Sequence, residues 1–331
     1  MKKPAQYLIT ESVFPMVFRQ PMIVHRGGDE KIIYISDDRK NICDFDIISC
    51  VTDTLVTNSP QKIVDYYYSE QDSSLYCMLW NWTIVNNKNS IILECPLCDN
   101  KGVECQWDCY RNYKPFVIEG NFIYTGLQPS KKFSDPNYDI LPFYKSCLNI
   151  GIWGKDSDYV CFIKAIGKKP SDQPDLFVDD CYQTAFNYRD SIIVAGTELS
   201  ENVIFVGFDG RLIAEKKLSS FLYKKIEKYS FEKNHSANKK IQYWKKNFLF
   251  RGIYYDKYRD LYYRVLVLPE KIDEKSFIRH KQDWVLIVAD NKLSKKYEVY
   301  FDGDHYKPTL LIGKKGVYIE TDEKTDLFYF D

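Results

Sequence analysis

Along almost the whole chain, short runs of aromatic and β-branched residues are separated by tight polar turns, and this rhythm constrains the fold more than any other feature. "NVIFVGFDGRLIAEKKL" is the clearest case. Val203 to Phe208 and Arg211 to Ala214 flank Asp209-Gly210, a two-residue signal for a type I′ hairpin. The same pattern places turns at Asp37 to Lys40, Asn86 to Asn89, Lys257 to Asp260, Asn291 to Lys295 and Gly313 to Gly316. Composition agrees: 27 Tyr, 20 Phe and 6 Trp favour half-buried pleated surfaces over helices. The expected class is all-β.

Successive hairpins without a βαβ rhythm point to a meander, a sandwich or a propeller. Length arbitrates among these, because some two dozen short strands overfill a single sandwich, whereas propellers take about 4 to 8 four-stranded blades and leave few exposed edges. Spread over six blades, 331 residues allow about 55 per blade; seven blades of about 47 are the alternative. The expectation is one propeller domain over residues 1–331, with six blades. One segment departs from the hairpin rhythm. In "LSSFLYKKIEKYSFE", Leu218, Phe221, Leu222, Lys225, Ile226 and Tyr229 recur mostly at helical spacing, so residues 215–247 read as a helix and polar loop inserted between blades.

Several phrases also resemble a known family. "ICDFDIIS", "SEQDSSLYCMLWN", "IFVGFDGRLIAEKKLSS" and above all "FRGIYYDKYRDLYYRVLVLPE" are similar to uncharacterised six-bladed β-propeller proteins that are common as lipoproteins in Bacteroidetes-type bacteria. The resemblance runs in order from about Ile32 to Glu270, with a last blade to Asp331. It implies a propeller exported to the cell envelope, and no assigned activity. The chain departs from the family in lacking its lipidated N-terminal cysteine, and the cluster Cys95 to Cys109 is foreign to it.

Charge and hydropathy limit the partners. Lys plus Arg equals Asp plus Glu at 46 each, so no global field draws the protein to nucleic acid or to an anionic membrane. The first twenty residues hold only short apolar pieces broken by Pro4, Glu11 and Pro15, which is neither a signal-peptide core nor a transmembrane span. The compartment expected is the periplasm or outer surface if an export signal has been removed, and the cytoplasm otherwise. The lysine-rich stretch Lys224 to Lys246, with Tyr229, Phe231, Tyr243 and Trp244, is read as a solvated insertion face with no nucleic-acid role.

The sharpest chemical feature is "ECPLCDNKGVECQWDC". A hairpin turning at Asn100 to Gly102 sets Cys98 near Cys105 and Cys95 near Cys109. Structural zinc, one or two disulfides, and reduced thiols all remain open for these four residues, and each would pin a hairpin without leaving an open coordination position for catalysis. No other cofactor is expected. Cys43, Cys50, Cys77, Cys147, Cys161 and Cys181 read as plain buried thiols.

For ligand binding the candidates are Asp256, Tyr263 and Arg264 in "YYDKYRDLYYR". A Tyr beside an Arg can stack on a sugar or hold a carboxylate at the mouth of a propeller channel. The plainer alternative is a cross-strand Arg264–Asp256 pair that locks the hairpin. In "LWNWTIV", Trp80 and Trp82 share a strand face with Met78 and Ile84, which reads as core. "FDGDH" at 301–305 reads as a turn, since its two carboxylates fall short of a calcium loop. His25, His235, His280 and His305 are not at metal spacing, and no zincin, serine-hydrolase, P-loop or dinucleotide motif occurs. The function expected is a non-catalytic binding or scaffold protein for a glycan, peptide or protein, with no catalytic residues named. A glycan-acting hydrolase or lyase using channel carboxylates is the alternative.

Overall fold

The structure is a computed structural model. Its described residues are 12–14, 19–26, 28–46, 49, 51–56, 59–70, 73–81, 83–87, 91–94, 98–100, 103–108, 117–129, 150–155, 160–165, 182–224, 237–270, 281–321 and 325–328. They group into two compact units, one of residues 16–168 with 311–314, the other of 1–15, 169–310 and 315–331.

In chain order the elements begin with β1 (Ser12–Phe14). A four-stranded sheet follows: β2 (Arg19–Arg26), β3 (Asp29–Ile35), β4 (Ile42–Asp46) and β5 (Thr52–Val56). The next comprises β6 (Ile63–Ser69), β7 (Ser74–Leu79), β8 (Thr83–Asn86) and β9 (Ile91–Glu94). A six-stranded sheet holds β10 (Cys98–Asn100), β11 (Val103–Asp108), β12 (Val117–Glu119), β13 (Phe122–Pro129), β14 (Ile150–Lys155) and β15 (Val160–Ala165). Then come β16 (Tyr182–Asn187), β17 (Ile192–Thr197), β18 (Asn202–Gly207) and β19 (Leu212–Lys217), followed by the helix α1 (Ala237–Lys246). β20 (Leu249–Asp256), β21 (Leu261–Val267), β22 (Trp284–Asp290) and β23 (Lys295–Phe301) form a further sheet. Finally β24 (Tyr306–Ile312), β25 (Val317–Thr321) and β26 (Thr325–Phe328) take β1 as their fourth strand, which pairs the two ends of the chain: Ser12 lies opposite Asp326.

The fold is all-β with a β-propeller arrangement, and α1 is the single α-helix among the described residues. Five blades are counted, fewer than the six or seven expected. Five sheets have four strands each, and the remaining one, β10–β15, is irregular, with β11, β12 and β14 all pairing with β13.

In the unit containing β2–β9, alternation decides what is buried. Ile33, Ile35, Ile42, Val56, Ile63, Tyr66 and Cys77 belong to one apolar cluster, and Tyr66 also satisfies its phenol by donating to the Ile33 carbonyl at 2.7 Å. In the unit containing β16–β23, β21 and β22 are buried on both faces and read as nearly continuous apolar runs. Val194, Val203, Phe205, Phe250, Tyr262, Leu266 and Ile287 share a cluster there, each aliphatic side chain contributing roughly 1.5–3 kcal/mol by burial.

Two local expectations change. The Asp209-Gly210 hairpin closes through the Gly210 N–H to the Gly207 carbonyl at 2.7 Å, with φ 76° at Gly210. It is therefore a three-residue connection ending in a left-handed glycine, not a two-residue type I′ turn. The helix expected from Leu218 is absent from its described part, 218–224, and the α-helix lies downstream at Ala237–Lys246, where a loop is expected. Glu298 provides the physical reason. It accepts from the Phe221 N–H at 2.9 Å and the Ser220 hydroxyl at 2.8 Å, and Phe221 stays 85% exposed while Leu218 is buried, so the two do not share the one buried face that would support a helix.

Candidate functional site

The expected ligand residues come together in the β20–β21 hairpin, but away from solvent: Asp256, Tyr263 and Arg264 are each 0% exposed. Asp256 accepts from the backbone N–H groups of Tyr258 (2.9 Å) and Arg259 (3.1 Å), from the Arg259 guanidinium (2.6 Å) and from the Tyr263 hydroxyl (2.9 Å). Burial, and then the Asp256 charge, push the Tyr263 phenol well above its usual range. Strand alternation turns Arg264 to the other face, toward β16–β19. There its guanidinium donates to the carbonyls of Leu218 (2.6 Å), Ser200 (2.7 Å), Glu201 (3.0 Å) and Thr197 (3.2 Å), and lies 3.6 Å from the centre of the Phe250 ring. In the register Arg264 opposes Ile253 and Asp256 opposes Leu261, so a cross-strand Arg264–Asp256 pair does not form either. Asp256 and Tyr263 thus brace their own hairpin, and Arg264 fastens two sheets of one unit together.

The cysteine hairpin has the anticipated register. Cys98 lies directly opposite Cys105, Asp99 opposite Glu104 and Asn100 opposite Val103. Cys95 and Cys109 lie outside the described residues. Among the described residues no group of three or more His, Cys, Asp or Glu is placed to hold a metal ion. Cys77 carries a buried, unbridged thiol as expected, whereas Cys43 is only half-buried, with its thiol pushed up by that burial; Cys50, Cys147 and Cys181 lie outside the described residues.

Two other motifs resolve as turns or packing. In "FDGDH", Asp302 accepts from the Asp304 N–H at 3.0 Å and Asp304 accepts from the Lys281 N–H at 2.7 Å, which braces the loop. In the lysine-rich stretch, Tyr243 is buried, Arg251 sits 5.3 Å over the Trp244 ring, and Lys245 pairs with Glu270 at 3.3 Å. Among the described residues no helix is long and apolar enough to cross a membrane.

An open pocket of about 750 Å³ lies instead in the unit of β2–β9, lined by Asp37, Asp38, Arg39, Gln61, Lys62 and Trp80. The topology explains why these six meet. Because the strands alternate in direction, the β3–β4 turn, the β5–β6 connection and the β7–β8 turn all emerge at one end of the two sheets. Backbone bonds then lace them: Ser59 N–H to Lys40 O, Ile63 N–H to Arg39 O and Trp80 N–H to Lys62 O, each 2.8 Å. The Lys40 ammonium adds bonds to the carbonyls of Ser59 (3.2 Å) and Pro60 (3.1 Å).

Within the β3–β4 turn, Asp38 accepts from the Ser36 hydroxyl at 2.6 Å and the Lys40 N–H at 2.8 Å, and these bonds hold its carboxyl below the usual range. Arg39 occupies the left-handed region at φ 59°, uncommon for a residue with a Cβ, with both its N–H and its C=O bonded. Among the described residues the side chains of Arg39, Gln61 and Lys62 have no hydrogen-bond or ion-pair partner.

Trp80 is 64% exposed, which corrects the core reading for that residue, whereas Met78 and Ile84 are buried as expected and Trp82 lies outside the described residues. Strand β7 ends at Leu79, and Asn81 accepts from the Thr83 N–H at 3.3 Å, so Trp80 sits on a turn and strand alternation does not run through it. Asn81 between two tryptophans was the available signal. Asn is a turn former, and "LWNW" therefore admits a strand end after Leu79.

No known protein-family profile matches this sequence, and no curated protein matches it. Among solved structures, the chain is similar to a member of the DUF4221 family from Bacteroides vulgatus, with 17% identity, a TM-score of 0.71, and coverage of 98% of this chain and 95% of the other. That likeness shows a shared fold and agrees with the resemblance read from the sequence, that of an uncharacterised propeller of Bacteroidetes-type bacteria. A gluconolactonase from Xanthomonas campestris superposes at TM-score 0.49 with 8% identity over 97% of this chain and 89% of its own. A protein of unknown function from Bacteroides thetaiotaomicron does so at 0.46 with 12% identity, over 96% and 71%. These last two likenesses are too distant to inform chemistry.

Proposed function

We propose that the chain is a non-catalytic binding or scaffold protein of the bacterial cell envelope, and that its ligand docks in the pocket around Trp80. One observation carries the proposal: a large aromatic side chain stands exposed on loops that are fixed by backbone hydrogen bonds, beside an arginine, a glutamine and a lysine without partners among the described residues. A rigid frame lowers the ordering cost of binding.

The broad test is a screen of the folded protein against glycan and peptide arrays, with Trp80→Ala in parallel. Signals that Trp80→Ala abolishes support the pocket as the recognition surface; a blank wild-type array, or signals unchanged in the variant, refute it. Fractionation of the native host tests the envelope location. For the cysteine hairpin we propose a pinning role, through zinc or a cross-strand disulfide. The direct opposition of Cys98 and Cys105 supports it. Elemental analysis without zinc, together with the same number of alkylated cysteines under denaturing conditions with and without prior reduction, would rule out both forms.

A further inference from the structure

Resting on the reading of the Trp80 pocket as a binding site, we infer that its ligand is a neutral oligosaccharide. Four observations select this class. First, the charges of the described lining balance, with Asp37 and Asp38 against Arg39 and Lys62, so the lining itself favours neither sign of ionic ligand. A phosphate or uronate would gain the two bases but face two adjacent carboxylates, and a cation would meet the reverse. Secondly, the polar groups are mixed in sense. Carboxylates only accept, guanidinium and ammonium only donate, and the Gln61 amide does both. A sugar ring, whose every hydroxyl donates and accepts, can use all of them at once.

Thirdly, one indole supplies the large aromatic surface of the lining, 64% exposed. A peptide anchored by an aromatic or aliphatic side chain wants a desolvated apolar pocket to enter. A pyranose instead presents a flat C–H face to one aromatic plane while its hydroxyls point to the rim, which matches Trp80 ringed by the polar groups of the described lining. Fourthly, the volume of about 750 Å³ lies inside the range of roughly 300–1,000 Å³ typical of small-ligand sites, and the pocket is open, so a chain longer than one sugar can run through it.

The frame suits this ligand. Arg39 and Lys62 each lend a carbonyl to a neighbouring loop, Arg39 to Ile63 and Lys62 to Trp80, both at 2.8 Å. The residues that would hold the hydroxyls are thus tied to the segment carrying the stacking ring, and the spacing between the two is set before the ligand arrives. Weak individual sugar contacts gain most from such preorganisation.

The test uses the full chain on an array carrying neutral oligosaccharides, uronate- and sulfate-bearing glycans, and peptides. Hits are then titrated by calorimetry with wild type, Trp80→Ala, Trp80→Phe and Gln61→Ala. Trp80 is exposed, so unchanged thermal melting in the variants verifies folding. The expected result is binding of neutral oligosaccharides that weakens about ten-fold or more in Trp80→Ala and only about three-fold in Trp80→Phe. That affinity should change less than about two-fold between roughly 50 and 300 mM salt, as screening has no net ligand charge to act on. Trp80-dependent binding confined to anionic glycans or to peptides overturns the neutral-sugar assignment while leaving the pocket as the binding site. Neutral-sugar binding indifferent to Trp80→Ala, or an array blank for the wild type, overturns both.

Discussion

The β20–β21 hairpin and the β3–β4 turn are built on the same local device. In each, an aspartate accepts from the N–H two residues ahead, Asp256 from Tyr258 at 2.9 Å and Asp38 from Lys40 at 2.8 Å. Each also holds a non-glycine residue in the left-handed region, Asp260 at φ 54° and Arg39 at φ 59°. Their arginines have opposite fates. Arg259 folds back onto Asp256 at 2.6 Å, and Arg264 gives its donors to four carbonyls, while Arg39 faces an open pocket beside an exposed tryptophan. Similar strings of Asp, Lys and Arg therefore become glue in one place and a candidate recognition surface in the other. What differs is whether a neighbouring sheet covers the side chain.

The largest effect that separates the two regions should come from Arg264→Met. It leaves four inward-facing carbonyls without their donor, and we expect a loss of roughly 3–5 kcal/mol in urea denaturation. A loss below about 1 kcal/mol would mean that Arg264 is not the fastener described above. Asp256→Asn should cost less, about 1–3 kcal/mol, because some hydrogen bonds survive the lost charge. Asp38→Asn in the exposed turn should cost less still; an equal cost would break the comparison.

Alkaline titration gives a third, smaller contrast. Burial raises the Tyr262 phenol from 10.0 to about 12, and burial together with Asp260 raises Tyr255 in the same direction. Between these values the folded state keeps a proton that the unfolded state has released. The stabilisation is thus complete below pH 10 and is lost as pH rises through about 12. Tyr262→Phe should flatten the fall in stability over that interval, as followed by urea midpoints against pH. Asp38 has the opposite sign. Its depressed carboxyl contributes above the ordinary carboxylate range, and the contribution fades as pH falls through the lowered value.

The smallest expected change in stability belongs to Trp80→Ala, within about 0.5 kcal/mol of wild type, as for other exposed positions. A larger loss would show that Trp80 packs in the core and would remove the basis for the pocket.

Much of the fold is legible in the sequence, and particular elements show why. The turns at Asp37 to Lys40, Lys257 to Asp260 and Gly313 to Gly316 join strand pairs β3–β4, β20–β21 and β24–β25 because short-range turn chemistry marks them. Cys98 opposite Cys105 follows from counting outward from the Asn100 to Gly102 turn. The candidate site is far less legible. Its six residues come from three loops separated by two strands or more, and the bonds that bring them together run between loops of different sheets.

Local pattern, then, determined the all-β class, most hairpin turns and which residues share a strand face, since alternation and turn preference act over a few residues. Only the tertiary structure decided which faces another sheet covers. Arg264 is sealed by the carbonyls following β17 and β19, Trp80 is left open by a strand that stops at Leu79, Glu298 holds the Ser220–Phe221 segment in a non-helical path, and β1 joins β26 across the length of the chain. Each of those outcomes depends on contacts between residues far apart in sequence, which no window of neighbouring residues encodes.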